Sequence, residues 1–270
     1  MYLFTIKNYV FAESLEQAYE LNQKRNNVVL GGTAWLKMGN RNIQTAIDLS
    51  NLGLDTIEED DEAFKIGCMC TLRQMETNER LNSYFDGVIG ESVIHIVGVQ
   101  FRNCATIGGS IYSRFGFSDI LTCLLALDTY VELYRGGIIP LNQYKDMDYD
   151  NDILVRIIIK KDNKRVSYIT HRNTKTDIPA LAVAVSKEED KWNIAIGARP
   201  QRAVLIDGTE FLSKNPTVDE RNNLISYIMD KVKFQSNMRG SSEYRKILAK
   251  ALVNRGIDKV VSYTNIVMNS

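Results

Sequence analysis

Paired glycines followed by a hydroxyl residue occur twice, in VVLGGTAWL at residues 28–36 and in ATIGGSIYS at residues 105–113. In both segments we expect a β-like apolar run that ends at the glycines and continues into Thr33 or Ser110. Because glycine lacks a Cβ atom, successive backbone N–H groups can converge on an anion there, and the hydroxyl adds a neutral donor. Two such turns in one domain could hold a diphosphate from both sides.

The residues alone leave a second interpretation open, in which both glycine pairs are tight turns. The common nucleotide fingerprints are missing, because the sequence has no GxxxxGK[ST] motif and no GxGxxG motif that opens a helix. On spacing alone, tight turns are favoured over a ligand site. The dinucleotide clasp is therefore a candidate.

Composition excludes several classes of function. The 33 Lys and Arg residues balance 33 Asp and Glu residues, so a nucleic-acid partner is not expected. No run of 18 apolar residues and no secretory leader pattern occurs, so we expect no membrane partner and a cytoplasmic protein. Four cysteines without a CxxC pair and two scattered histidines predict no metal site in this chain. The cysteines Cys68, Cys70, Cys104 and Cys123 are expected to be core thiols.

Local patterns predict an α+β region that ends near residue 162. Ser14 and Gln17 form a capping-box pattern that opens a helix, and Thr71 and Gln74 form a second one, which opens a helix reaching about Asn82. Asp119 is expected to cap a buried apolar helix at residues 120–127. Strands are predicted at 27–30, 45–49, 64–68, 130–134 and 153–159.

The last hundred residues predict a separate small domain. Alternating apolar residues indicate three strands at 165–171, 180–186 and 192–198. Two amphipathic helices follow, the first opened by the capping box of Thr217 and Glu220. We therefore predict one domain at 1–162, with subdomains of about 1–55 and 56–162, and a C-terminal domain at 163–270.

Four blocks of sequence, taken together and in order, resemble the FAD-binding medium subunit of the molybdenum hydroxylases, a family that includes xanthine dehydrogenase and carbon monoxide dehydrogenase. They extend from about residue 25 to 255 and read VVLGGTAWLKMGNR, IGCMCTLRQME, VQFRNCATIGGSIYSRFGFSDILTCLLALDTYVELY and SSEYRKILAKALVNR. The resemblance implies a two-subdomain FAD-binding domain of the vanillyl-alcohol-oxidase-like type. A small α+β C-terminal domain with a three-stranded sheet and helices would follow it.

The resemblance also implies which residues contact the cofactor. The first FAD loop, which wraps the diphosphate in the family, falls on Leu30, Gly31, Gly32, Thr33, Ala34, Trp35 and Leu36. The second falls on Ala105, Thr106, Gly108, Gly109, Ser110 and Ser113. Asp119 falls on an aspartate that contacts the adenosine side or orders that loop. Tyr112, Arg114 and Phe115 depart from the small residues and proline common in the family. Any of the three could stack on the flavin ring or place charge near it, and Tyr112 is counted among the expected cofactor-binding residues.

The function implied by the resemblance is electron transfer. The molybdopterin would lie in a large partner subunit and two [2Fe-2S] clusters in a small one, so this chain would accept electrons on FAD and pass them to NAD or another acceptor. Such a subunit belongs to an oxidoreductase of the xanthine dehydrogenase type, with purine or xanthine as the expected substrate of the complex. No catalytic side chain is expected here. The alternative is a non-enzymatic assembly module with weak or no FAD binding, motivated by the altered residues 112–117.

Overall fold

A computed structural model of the chain describes residues 4–268, with side chains described for residues 4–262. The contacts within the chain divide it into two units. The first unit comprises the chain up to Met75, Gly98–Ser113 and Thr129–Lys160. The second comprises Glu76–Val97, Arg114–Asp128 and the chain from Lys161 onward. The domain boundaries predicted near residues 55 and 162 stay predictions.

The described residues form runs of successive strands and runs of successive helices. The strands are β1 (Thr5–Phe11), β2 (Asn27–Leu30), β3 (Asn42–Asp48), β4 (Ile57–Glu59), β5 (Ala63–Gly67), β6 (Thr129–Leu133), β7 (Gly137–Pro140), β8 (Leu154–Lys160), β9 (Arg165–His171), β10 (Leu181–Glu188), β11 (Lys191–Gly197) and β12 (Val204–Asp207). The helices are α1 (Leu15–Asn22), α2 (Leu72–Thr77), α3 (Glu79–Tyr84), α4 (Val88–Val93), α5 (Val99–Cys104), α6 (Ile107–Tyr112), α7 (Asp119–Leu125), α8 (Leu141–Tyr144), α9 (Val218–Lys231) and α10 (Ser242–Met268). Short 3-10 turns lie at Leu36–Met38 and Ser50–Leu52.

The first unit is built on two sheets. A parallel sheet has the order β1-β3-β2, and an antiparallel sheet has the order β4-β5-β8-β6-β7. The strand predicted at 27–30 is confirmed as β2. Its last residue, Leu30, is buried with Ile43 and Ala46 of β3, and Leu36 packs against the same cluster. This packing fixes both ends of the segment that carries Gly31 and Gly32.

The second unit contains a four-stranded antiparallel sheet in the order β12-β11-β10-β9. Three of these strands agree with the sequence pattern, whereas Val204–Asp207 was not predicted, because it is short and follows an irregular segment. Trp192 of β11 is fully buried in a core that also contains Leu224 of α9 and Leu252 of α10. The α+β class with a C-terminal sheet and helices is confirmed, with four strands in place of three.

Helix starts follow the capping patterns in most places. The Ser14 hydroxyl accepts the Gln17 N–H at 3.1 Å, and Thr217 and Glu220 form a complete capping box. The helix predicted from Thr71 to about Asn82 is wrong in length, because Asn78 interrupts it and caps α3 through the Leu81 N–H at 2.8 Å. An asparagine side chain competes with helical backbone bonds in this way.

Arg245 organises the C-terminal part of the second unit. Its side chain is fully buried and donates to the carbonyl oxygens of Ala180 at 2.8 Å and Gln235 at 2.7 Å. It also donates to the carbonyl oxygen of Gly240 and to Asn237 Oδ1. One guanidinium thereby donates to backbone acceptors from several loops.

Candidate functional site

The two glycine segments lie against each other in the first unit. A Cβ atom added to Gly31 would lie 3.5 Å from the Cα atom of Gly109 and 2.8 Å from Thr106 Oγ1. A Cβ atom added to Gly32 would lie 2.5 Å from the carbonyl carbon of Cys104, closer than real Cβ contacts. The two segments therefore lie in contact, and part of the need for glycine comes from this contact between the segments themselves.

The second glycine segment is helical, which corrects the expectation of a β-like run that ends at Gly108. Residues Ile107–Tyr112 form α6, and Thr106 is its N-cap residue, whose hydroxyl accepts the Gly109 N–H at 3.2 Å. A Cβ atom on Gly108 would lie 2.5 Å from the carbonyl oxygen of Cys68, so this glycine admits a neighbouring backbone. The two segments thus do not share one backbone design.

Backbone donors differ between the two segments. In the second, the N–H groups of Ile107, Gly108 and Ser110 donate to the carbonyl oxygens of Cys70, Cys68 and Thr106 at 2.8, 2.9 and 3.1 Å. In the first, no hydrogen bond within the described part of the chain uses the N–H groups of Gly32, Thr33 or Ala34. The donors available to an anion therefore lie in the first loop.

Thr33 has an unusual backbone conformation at the centre of that loop. Its φ is +55°, in the left-handed region that β-branched residues rarely adopt. Such a conformation costs about 1–3 kcal/mol and is found mostly where function requires it. A left-handed residue among successive free N–H groups can form a concave anion-binding turn.

A cavity of about 200 Å³ opens beside the two segments, entirely within the first unit. Of the predicted cofactor-binding residues, those that line it are Leu30, Gly31, Thr106, Gly108, Gly109 and Tyr112. The Tyr112 hydroxyl donates to the carbonyl oxygen of Asp150 at 3.1 Å, which fixes its ring at the cavity wall. The structure therefore brings together residues from both predicted loops.

The remaining predicted residues of the loops do not line this cavity. Ala105 is buried, and Trp35 is 46% exposed. The hydroxyls of Ser110 and Ser113 donate to the carbonyl oxygens of Thr106 and Ser110 at 3.0 and 3.3 Å, so both are engaged within α6. They can still accept a hydrogen bond from a ligand.

Asp119 belongs to the second unit, where its carboxylate is buried. The Tyr168 hydroxyl donates to it at 2.5 Å, and the Arg172 guanidinium forms an ion pair with it. Burial raises the Asp119 pKa to about 6 and outweighs the opposing effects of Arg172 and Tyr168. The expectation that Asp119 caps its helix is wrong, because the hydroxyl of Ser118 accepts the Leu121 N–H instead.

Arg114 and Phe115, which depart from the family pattern, belong to the second unit. Arg114 is buried, with φ of +48°, and the Phe115 and Phe117 rings stack with centroids 5.0 Å apart.

The cysteines differ in their burial. Cys68, which lines the cavity, is buried, and burial raises its thiol pKa to about 12. Cys104 was expected in the core but is exposed, because it ends α5 at the surface.

Several lining residues were not predicted from sequence. They are Asn22, Asn27, Arg41, Met69, Asn151 and Asp152. Arg41 immediately precedes β3, which runs parallel to β2 with Thr45 opposite Asn27 and Asp48 opposite Leu30, so Arg41 lies at the Asn27 end of β2, away from Gly31. A basic residue ahead of a strand carries no signal by itself, so only the folded structure shows that it lines the cavity.

Comparisons with known proteins identify the class of protein that this fold and site define. Residues 4–161 match the family described as the FAD binding domain in molybdopterin dehydrogenase, which is more than half of the chain. The chain belongs to this family, and it is an FAD-binding subunit of the molybdenum hydroxylase type.

Solved structures share the fold over nearly the whole chain. Quinoline 2-oxidoreductase from Pseudomonas putida 86 superposes with a TM-score of 0.85 at 18% identity, over 97% of this chain and 99% of that one. Carbon monoxide dehydrogenase from Hydrogenophaga pseudoflava superposes with a TM-score of 0.85 at 18% identity, over 94% and 97% of the two chains. These similarities show the fold of nearly the whole chain, including most of its C-terminal part.

Sequence relatives extend the comparison. The Escherichia coli (strain K12) protein YgfM is 25% identical over 253 residues, which cover 92% of this chain and 94% of that protein. The alpha subunit of the 6-hydroxypseudooxynicotine dehydrogenase complex of Paenarthrobacter nicotinovorans is 27% identical over 131 residues, which cover 46% of this chain and 44% of that subunit.

Within the described residues, no helix is both long and apolar enough to cross a membrane.

Proposed function

We propose that this chain is the electron outlet of a molybdenum hydroxylase complex. It receives electrons from [2Fe-2S] clusters in a small partner subunit and passes them to NAD or another acceptor, while a large partner subunit holds the molybdopterin. The observation that carries the proposal is the cavity at which Gly31 and Gly109 meet beside uncommitted backbone donors. Such a donor set suits the diphosphate of FAD.

Each segment has a distinct part in the proposed site. The N–H groups of Gly32, Thr33 and Ala34 bind the diphosphate, and Gly109, which is exposed, leaves room for it. Tyr112 closes the wall of the cavity. Bound FAD supplies a two-electron store that can exchange with one-electron carriers, and the protein sets its orientation and electrostatic surroundings.

Asp119 has a positioning part in this proposal. Its bonds to Tyr168 and Arg172 tie the start of α7 to β9 and the residue after it. The segment 113–118 runs from α6 to this anchored point. Asp119 therefore orders the segment that leaves the glycine site, which is one of the two roles that the family resemblance implies.

The substrate of the complex is chosen in the molybdenum subunit, and we propose a purine such as xanthine, with the complex located in the cytoplasm. Purification of the native complex, metal analysis and a screen of acceptors test this proposal. We expect molybdenum and iron to co-purify with this chain and xanthine to reduce NAD. Reduction by quinoline or carbon monoxide, with xanthine inert, would reject the purine assignment and retain the electron-outlet function.

The isolated chain tests whether the site binds the cofactor at all. We expect a yellow protein that contains close to one FAD per chain or takes it up when FAD is added. A folded, colourless chain that takes up no FAD while it still binds its partner subunits would support the alternative of an assembly module.

A further inference from the structure

We infer that Asn27 selects adenine as the base of the bound cofactor, by accepting a hydrogen bond from the exocyclic amino group of the base. The inference rests on the proposed function, in which the diphosphate of FAD lies at Gly31 and Gly109. It adds a side chain that reads the base at the other end of the cavity. This contact distinguishes the adenosine half of FAD from a nucleotide with a different base.

The cavity extends along strand β2. Its lining includes every residue of the strand, from Asn27 to Leu30, and then Gly31. The four residue steps from Asn27 to Gly31 span about 13 Å, at about 3.3 Å per residue of extended chain. The free N–H groups of the first loop follow Gly31, so the diphosphate belongs at that end. The half of the cofactor that lies in this cavity therefore extends from the diphosphate toward Asn27.

Hydrogen-bonding groups at the far end decide which half this is. The Nδ2 groups of Asn22 and Asn27 donate to the carbonyl oxygens of Asn151 at 2.8 Å and Leu21 at 2.7 Å. Within the described chain, no donor engages their Oδ1 atoms, which therefore present acceptors. The polar edge of the flavin ring carries two carbonyl oxygens, which acceptors repel, whereas adenine carries an amino donor. This end of the cavity suits adenine.

The walls of the cavity suit a flat base that lies with one edge against β2. Among the described residues β3 is the one neighbour of β2, so β2 is an edge strand of its sheet. An edge strand leaves alternate backbone N–H and C=O groups without a partner, and a base can pair with them. Met69 and Leu154 also line the cavity and supply apolar contacts for the faces of the ring. Asn27, at the start of the strand, then lies at the edge of the base.

Arg41 is the other side chain at this end that could read a base. It is the one basic residue in the cavity lining, and it is exposed, with no ion pair to its guanidinium among the described residues. A guanidinium donates, so it favours the keto oxygen of guanine or hypoxanthine over the amino group of adenine. Ordering its long side chain costs conformational entropy, whereas the bond to Leu21 already fixes Asn27. Asn27 therefore sets the preference, and the sign of that preference separates the two residues.

Calorimetric titrations of the full-length chain, freed of cofactor, test this inference with ADP and IDP. The two ligands share ribose and diphosphate, and IDP has a keto oxygen where ADP has the amino group. The variants are Asn27→Leu, which removes the acceptor, and Asn27→Asp, which keeps one. Asn22→Leu is the matched control, because Asn22 also donates to a backbone carbonyl and lines the cavity but ends α1 and is not part of β2. Thermal unfolding checks that each variant is folded.

We expect the wild type to bind ADP roughly tenfold to a hundredfold more tightly than IDP, the usual discrimination of a side chain that reads a base edge. Asn27→Leu should weaken ADP binding by a similar factor and bring the ratio of the two affinities close to one. Asn27→Asp should keep the preference for ADP, and Asn22→Leu should keep the wild-type ratio.

Several outcomes would overturn the inference while FAD binding by the wild type still supports the proposed function. They are equal affinities of the wild type for ADP and IDP, a preference for IDP, which would indicate Arg41, and FAD binding without any ADP binding. An unchanged ratio in folded Asn27→Leu, or a loss of preference in Asn22→Leu or in Asn27→Asp, would also reject it. If the folded wild-type chain binds neither FAD nor ADP, the proposed function itself fails, and the inference fails with it.

Discussion

Gly31 and Gly109, which are far apart in sequence, lie so close that a methyl group on the first would be 3.5 Å from the Cα atom of the second. Gly31 follows the buried end of β2, and Gly109 lies in the first turn of α6. Because neither residue has a side chain, a cavity remains beside them. A larger side chain would meet different neighbours at Gly109 and at Gly32. Substitution of Gly109 therefore tests ligand binding, whereas substitution of Gly32 tests folding.

Replacement of Gly109 by valine is expected to lower FAD affinity with little change in stability. Gly109 is exposed, and an added Cβ would meet only Thr106 Oγ1, at 3.2 Å. Valine and glycine differ by only a few tenths of a kcal/mol in helix propensity, so α6 should persist. FAD content and melting temperature, measured on the same preparation, check this prediction. Full FAD content in a stable Gly109→Val variant would argue against a diphosphate at this glycine.

Replacement of Gly32 by alanine is expected to destabilise the first unit whether or not FAD is present. The new Cβ would lie 2.5 Å from the carbonyl carbon of Cys104 and 2.7 Å from the Cα atom of Ala105, so backbone must move. Overpacking of this kind costs about 1–3 kcal/mol. Urea unfolding of the cofactor-free variant measures this cost. An unchanged unfolding free energy would show that the two segments can separate easily.

The stability contributed by Asp119 should depend on pH. Because its pKa is raised from 3.8 to about 6 in the folded chain, folding favours the protonated carboxyl. The contribution is fully present below the unfolded pKa and is lost as the pH rises through the folded value. The unfolding free energy of the wild type, relative to Asp119→Asn, should therefore fall between about pH 4 and pH 6 and then level off. Urea unfolding at several pH values tests this, and a relative stability that rises over the same interval would contradict it.

Replacement of Arg245 by methionine should destabilise the second unit by at least about 3 kcal/mol. The change removes the buried donor of the carbonyl oxygens of Ala180 and Gln235 and one of the two donors to the carbonyl oxygen of Gly240. Tyr244→Phe is the matched comparison, because its ring is 38% exposed and the change removes only a 2.8 Å hydrogen bond to His171 Nε2. Chemical unfolding followed by far-UV circular dichroism measures both changes. Losses of equal size would mean that Arg245 does not organise these loops.

Local sequence was sufficient to predict many of the strands and helices and the class of fold. The strand at 27–30 and the strand at 165–171 have the predicted bounds, because β-branched residues and flanking turn residues agree there. The capping box of Thr217 and Glu220 marks the start of α9 for the same local reason. The family and the FAD-binding character also followed from sequence, through the order of four blocks.

Tertiary contacts determine the features that local sequence did not predict correctly. The segment ATIGGSIYS has residues typical of a strand, yet it forms a helix because Thr106 caps it and Gly108 allows the backbone of Cys68 to pack against it. Ser118 rather than Asp119 caps α7, since the aspartate is engaged by Tyr168 and Arg172, which are distant in sequence. Arg41 lines the same cavity although no local pattern around residue 41 predicts it.

The central claim is that this chain holds FAD at the junction of its two glycine segments, and the FAD content of the purified full-length chain tests it most directly. Absorbance of the flavin released by denaturation, divided by protein concentration, gives the stoichiometry after incubation with excess FAD and removal of the unbound cofactor. We expect a value close to one FAD per chain for the wild type and a clear loss in Gly109→Val. A folded wild-type chain that retains no FAD would contradict it.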